Sequence, residues 1–354
     1  MSSSSAFLRS CLIFCLLSCT LTFVKAATFE NGTSYILSNS SGTVVIYDPD
    51  TSTEIAQADA SDGSGSGYDL PAILWIAMSF VLGVPLLLGG VRLGRITSGI
   101  GMGVGLSVAA WASIINTVSE GSISDIIIVI LTLILFGVGF IVGILTIDYG
   151  VGSAVLGVAG GFSIGIRIVI MKEDLLVPVY YVDWLIATVL GVAALITIVC
   201  NERWGVLFGS SAVGSFFVGL GIDLLVNNQK GMSRGLRYMF DRNEHHLADL
   251  MGSGYTPLVF SQIIIGVSLA AIPLFAYGQH KLFPSPFWIR AGRPSSYYGD
   301  DASIRSKTWV GRFRGRRHSA VAVPDVEKNG FDSTQSLINS QQSPTTPKSK
   351  PLQS

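Results

Sequence analysis

Residues 149–170 read YGVGSAVLGVAGGFSIGIRIVI. About 20 apolar residues at ~1.5 Å rise cross a ~30 Å hydrocarbon core, so the stretch is long enough for a membrane helix. At 100° per residue, Gly150, Ser153, Ala154, Gly157, Gly160, Gly161 and Gly165 fall on one face. Val151, Val155, Val158, Phe162 and Ile166 fall on the other. A face of small residues lets helix backbones approach closely, and the bulky face is left to meet lipid. Segments 96–115 and 204–226 carry the same glycine pattern.

Working outward, the whole chain fits a polytopic membrane protein. Charged residues make up 13% of it, about half the ~25% of a soluble domain, and the mean hydropathy is +0.54. Seven spans are predicted, at 72–91, 96–115, 123–147, 149–170, 179–200, 204–226 and 257–277. They read as pairs, each a Leu/Ile/Val-rich helix, a tight turn and a glycine-rich helix. The turns are GGVRLGRITSG, TIDYGVG and NERWGVLFG, in which Gly99, Gly152 and Gly205 recur at a spacing of 53. The expected fold is all-α: three helical hairpins plus a seventh helix, repeated about an axis along the membrane normal. Gly157, Gly161, Gly205 and Gly209 are the expected packing positions.

The ends set the domain boundaries and the sidedness. Residues 1–26 read as a secretory signal, with Arg9 in the n-region, an apolar CLIFCLLSCTLTF run and small residues around a cut after Ala26. An uncleaved anchor is the competing reading. Cys200 alone of four cysteines survives cleavage, as a packing residue or an acylated thiol. Residues 27–70 form a short lumenal segment holding seven acidic residues, no Lys or Arg, a weakly alternating SGTVVIYDP and a flexible DASDGSGSGYD linker. Asn31 and Asn39 head its two glycosylation sequons. After the membrane domain, 71–277, comes a Ser/Pro-rich tail, 278–354, expected to be disordered, with twelve Lys/Arg against five Asp/Glu. A lumenal start and seven crossings place that tail in the cytoplasm. Arg92, Arg95 and Arg203 agree with this placement, whereas Lys230, Arg234, Arg237 and Arg242 in the 227–256 loop run against it.

The tail's 305–318 segment, RSKTWVGRFRGRRH, suits an anionic lipid surface. Ser319, Ser343 and Thr346 are candidate phosphorylation sites, and the membrane tether argues against nucleic acid. Within the spans, Arg167 and Asp223 lie about a turn from the outer end and flank small-residue faces, so they are the expected buried ion pair. Asp125 and Asp183 are the competing partners. His245 and His246 read as a solvated loop rather than a metal site. Gly161-Phe-Ser163-Ile-Gly165 matches G-x-S-x-G but lies in a continuous helix with no histidine near. Gly219-Leu-Gly221-Ile-Asp223 is one residue away from G-x-G-D. No catalytic residue and no cofactor is expected.

GGVRLGR, GIGMGVG, DYGVGSAVLGVAGG and RWGVLFGSSAVGS together resemble the transmembrane protein 198-like, seven-transmembrane-superfamily-member-3-like membrane domain family. The resemblance covers 71–277. It implies a seven-helix membrane domain without assigned enzymatic activity, and links to receptor signalling and membrane trafficking. The expected function is therefore a non-catalytic scaffold or regulator in the secretory pathway or at the cell surface, acting with a membrane-protein partner. The alternative is a transporter or channel with its pathway between the glycine-rich helices.

Overall fold

The computed structural model describes residues 36–40, 43–48, 51–57, 62–117, 123–146, 150–177 and 179–283. The signal, Asn31, the 305–318 segment, Ser319, Ser343 and Thr346 lie outside the described residues. Among the described residues, seven helices are long and apolar enough to cross a membrane. They are α1 (Leu70–Gly89), α2 (Arg95–Thr117), α3 (Asp125–Leu145), α4 (Gly150–Val169), α5 (Tyr180–Cys200), α6 (Glu202–Asn227) and α9 (Val259–Leu282). Between the last two lie the short helices α7 (Met232–Phe240) and α8 (Leu247–Ser253). A hairpin of β1 (Ile36–Ser40) and β2 (Thr43–Tyr47) precedes the bundle, antiparallel, with Ile36 opposite Tyr47 and Ser40 opposite Thr43. That hairpin contains most of the weakly alternating segment.

Every membrane helix lies close to its expected bounds, except that α9 runs on to Leu282. Local chemistry sets the ends. The Asp69 carboxylate accepts from the Ala72 amide at 3.1 Å, and Pro71 occupies the first turn of α1, where its missing N–H costs nothing. Asn201 caps α6 through the Trp204 amide at 3.3 Å.

The pairing of the helices differs from the expected hairpins. α1 packs along α6 rather than α2, while α2 packs along α3, α4 along α5, and α9 along α6. The repeated unit is thus a glycine-rich helix with the apolar helix that follows it, and α1 is the extra element. A short turn brings two helices together at one end only; surface complementarity decides which run side by side. The facing helices carry small residues of their own. Gly139 sits against the backbone of Met102 and Gly103, and Gly143 against Gly99. Gly165 sits against Ala187, and Gly214 against Gly83 and Leu87. Such mutual small-residue contacts are the packing currency of membrane helices.

The glycine-rich helices form a row, α2 beside α4 beside α6. A Cβ on Gly160 would lie 2.8 Å from the Gly209 Cα, and one on Gly209 would lie 3.0 Å from the Gly157 Cα. Gly161 faces the Leu190 carbonyl on α5, whereas Gly157 and Gly205 face Ile198. All four expected packing glycines are therefore at helix contacts. α6 is the most enclosed helix and α4 the next. The bulky face of α4 accordingly meets protein more than lipid: Ile166 is buried, and Phe162 packs on Trp184 with ring centres 5.7 Å apart.

Candidate functional site: a buried arginine, a polar ladder and a lid

α6 and α9 face each other through a ladder of polar side chains. Ser211, Ser215, Asp223 and Asn227 lie on α6, and Ser261, Ser268 and Gln279 on α9. All are buried. Ser261 and Ser268 are seven residues apart, two turns on one face, so each meets a different rung.

Arg167 of α4 reaches the middle rung and is fully buried. Its Nε donates to the Ser163 carbonyl at 3.0 Å. Nη1 donates to Ser215 Oγ at 3.0 Å and Ser268 Oγ at 3.1 Å. Nη2 donates to Ser163 Oγ at 3.2 Å and the Ala212 carbonyl at 2.8 Å. A guanidinium has five N–H donors, and each meets a neutral acceptor here. The hydroxyls turn their own protons to carbonyls one turn back, Ser163 to Gly160 at 2.7 Å and Ser268 to Ile265 at 2.9 Å. The Phe216 ring lies 5.6 Å from Cζ, an additional partner for the cation.

The expected Arg167–Asp223 pair does not form. Asp223 accepts instead from Asn227 Nδ2 at 2.8 Å, from Ser261 Oγ at 2.6 Å and from the Met232 amide. The reason is directional. A helical side chain points back toward its own N-terminus, so Arg167 reaches the level of Ser163 on α4 and of Ser215 on α6. Ser215 precedes Asp223 by eight residues, about 12 Å along the helix. The competing carboxylates are engaged elsewhere: Asp125 accepts from the Gly63 amide at 3.0 Å, and Asp183 from the Val177 amide at 3.2 Å.

Asp223 is tied to a lid formed by residues 228–258. Its bond to Met232 holds the first turn of α7, where a carboxylate also complements the helix dipole. The apolar side of the lid is turned onto the bundle instead of into a lipid interface. Phe240 inserts between Trp111 of α2 and Trp184 of α5, with ring centres at 5.4 and 5.1 Å. Burial, reinforced by the charge of Asp223, pushes the Tyr255 phenol above its usual range, keeping it a donor to the Ile170 carbonyl at 2.8 Å.

Charges of the lid pair with one another. Arg237 pairs with Asp249 at 2.7 Å, and His246 Nδ1 with Asp241 at 2.8 Å. His246 is therefore buried and partnered, not solvated as the sequence suggested. Arg242 lies over the Tyr180 ring. The expected flexible linker is also partly fixed: Asp62 and Ser64 are buried, Trp111 Nε1 donates to the Asp62 carbonyl at 2.8 Å, and Trp75 Nε1 to the Gly63 carbonyl at 2.9 Å. Gln57 donates from Nε2 to the Glu244 carbonyl at 3.2 Å and accepts from the Ala248 amide at 2.9 Å, joining the segment after the β-hairpin to the lid.

At the opposite end of the bundle, Gln279 closes the ladder, and sequence reading missed it because the last span was ended at Tyr277. Its Nε2 donates to the Leu86 and Leu87 carbonyls at 3.1 and 2.8 Å, and its Oε1 accepts from the Val91 amide at 3.1 Å. Gln279→Leu should cost about 2 kcal/mol, since it strips partners from buried backbone groups. Thermal unfolding of the purified protein in detergent measures this, and an unchanged midpoint would mean that the bonds carry no net stability. Ser215 and Ser268 were missed as well; their signal was the spacing of polar residues along α6 and α9 rather than any motif.

No curated protein and no solved structure matches the chain significantly. A family model described as TM7S3/TM198-like domain matches residues 76–279, from within α1 to the Gln279 rung near the end of α9. The match takes in more than half of the chain and all seven membrane helices, and the protein belongs to the TM7S3/TM198-like family.

Proposed function

We propose that this multi-pass membrane protein is a non-catalytic scaffold or regulator of the secretory pathway or cell surface, acting through a membrane-protein partner. The observation that carries the reading is the closed interior: the row of glycine-rich helices is filled by backbone contacts such as Gly160 on Gly209. A pathway between these helices would require them to separate. The serine of the hydrolase-like motif supports the non-catalytic reading, because Ser163 donates to its own helix at Gly160 and accepts from Arg167. Asp223, in the protease-like motif, accepts three donors under the lid.

The polar ladder between α6 and α9 is the observation that favours transport as the second reading. Reconstitution into liposomes separates the two. Ion and small-solute flux should equal that of protein-free liposomes. Flux above that level, abolished in Arg167→Met, would replace the scaffold by a transporter.

The lid end is assigned to the lumen or exterior, and the end with the short inter-helix turns to the cytoplasm with the tail. Among the described residues, Arg92, Arg95, Arg203 and Lys281 occupy the turn end against Glu202, the distribution that the positive-inside rule favours. The lid arginines that ran against this rule are held within a folded element. Glycosidase should shift the mobility of the wild type and leave the Asn31→Gln/Asn39→Gln double variant unshifted. A wild type that does not shift would overturn the assignment. The 305–318 segment would then lie against anionic lipid of the cytoplasmic leaflet, with Ser319, Ser343 and Thr346 as candidate phosphorylation sites beside or beyond it.

A further inference from the structure

Residues 62–67, DGSGSG, cross the lid end of the bundle as a strap with partners on two sides. On the bundle side, Trp111 Nε1 of α2 donates to the Asp62 carbonyl at 2.8 Å, and Trp75 Nε1 of α1 to the Gly63 carbonyl at 2.9 Å. Asp125, the first residue of α3, accepts from the Gly63 amide at 3.0 Å. On the lid side, Gln229 donates from Nε2 to the Ser64 and Gly67 carbonyls, both at 3.1 Å, and accepts from the Gly67 amide at 2.9 Å. Ser233 of α7 donates to the Asp62 carboxylate at 3.4 Å. The strap thereby joins the lid to three membrane helices.

Most of these bonds are made to main-chain groups, so the strap is held as a backbone rather than by its side chains. Gly63 shows why the residue there must be small. Its φ is +78°, and a Cβ would lie 2.8 Å from Ile128 Cγ2 of α3. Glycine loses more conformational freedom on ordering than any other residue. A segment serving only as a spacer would gain nothing from being tied at successive amides and carbonyls. What lies under the lid gives the strap its consequence. α7 supplies the Met232 amide to Asp223, at the lid end of the polar ladder, so a lid that lifts takes that donor with it.

We propose that residues 62–67 are a latch that locks α7 over Asp223, and that unseating them opens the lid end of the polar ladder. The latch rests on neither the scaffold reading, nor the transport reading, nor the assigned orientation.

The test follows hydrogen exchange by mass spectrometry on the full-length protein in phosphatidylcholine nanodiscs. Gly63→Val unseats the strap from the bundle side, because a β-branched residue at that φ is strained and its side chain meets Ile128. Gln229→Ala releases the strap from the lid side. Each should speed exchange of the α7 amides, Met232–Phe240, by about tenfold, the order expected when a local opening loses one net hydrogen bond or so. Exchange in α4 should keep the wild-type rate. Because both substitutions break one device, the Gly63→Val/Gln229→Ala pair should speed α7 no further than either alone. The proposal is overturned by α7 rates that stay at the wild-type level in Gly63→Val, by equal acceleration of α7 and α4, or by multiplying effects in the pair. Should Gly63→Val fail to fold, Trp75→Phe, which keeps a ring and loses the donor, carries the same comparison with Gln229→Ala.

Discussion

Arg167→Met should retain more stability than Arg167→Lys, although methionine makes none of the arginine's five hydrogen bonds. The guanidinium is matched donor for donor by Ser163, Ala212, Ser215 and Ser268. Lysine keeps the charge but has three donors on a single nitrogen, and it is more strongly hydrated than a guanidinium. The charge would remain buried and under-bonded, a condition that costs about 3–5 kcal/mol in buried ionic sites. Methionine removes the charge while filling similar volume. The acceptors left behind already take part in other hydrogen bonds, so the net loss should stay within about 1 kcal/mol. Arg167→Ala should lose about 2–5 kcal/mol, mostly through the cavity. Thermal unfolding in one detergent ranks the three variants, and methionine as the worst would show that the charge itself stabilises the fold. Because Arg167 and Asp223 do not touch, Arg167→Ala and Asp223→Ala should add to within about 0.5 kcal/mol. Strong coupling between them would restore the ion pair.

Gly161→Ala should destabilise far more than Gly157→Ala, though the two glycines lie on the same face four residues apart. A methyl at Gly161 would meet the carbonyl of Leu190 and lie 2.7 Å from its carbonyl carbon, so α4 and α5 would have to separate. At Gly157 the obstacle is the Ile198 side chain, which can change rotamer. Overpacking costs about 1–3 kcal/mol, with Gly161 at the upper end. At Gly157 the gain in helix propensity, about 1 kcal/mol, offsets much of the loss. Gly191→Ala is the internal control, because its nearest neighbour is the Val158 carbonyl at 3.5 Å. It should be neutral or stabilising. Equal unfolding temperatures for the Gly161 and Gly157 variants would mean that the α4–α5 contact is looser than its backbone spacing indicates.

The seven spans, their near-complete bounds and the glycine contacts were legible from residues 149–170 outward, because hydrophobic length and small-residue periodicity are local properties of a chain. Family membership was legible for the same reason, since its signatures lie in the turns and glycine runs. Tertiary structure decided which helices became partners: a tight turn constrains only the helix ends, while Gly139, Gly143, Ala187 and Gly83 made the opposing surfaces fit. It also decided what became of Arg167 and Asp223. Their depths along the chain suggested a pair, but the backward tilt of helical side chains carried the arginine inward to the serines, and the carboxylate was taken by the lid. Whether a buried charge is balanced by an opposite charge or dispersed among hydroxyls depends on what three helices bring to one depth, and no stretch of a single helix contains that information.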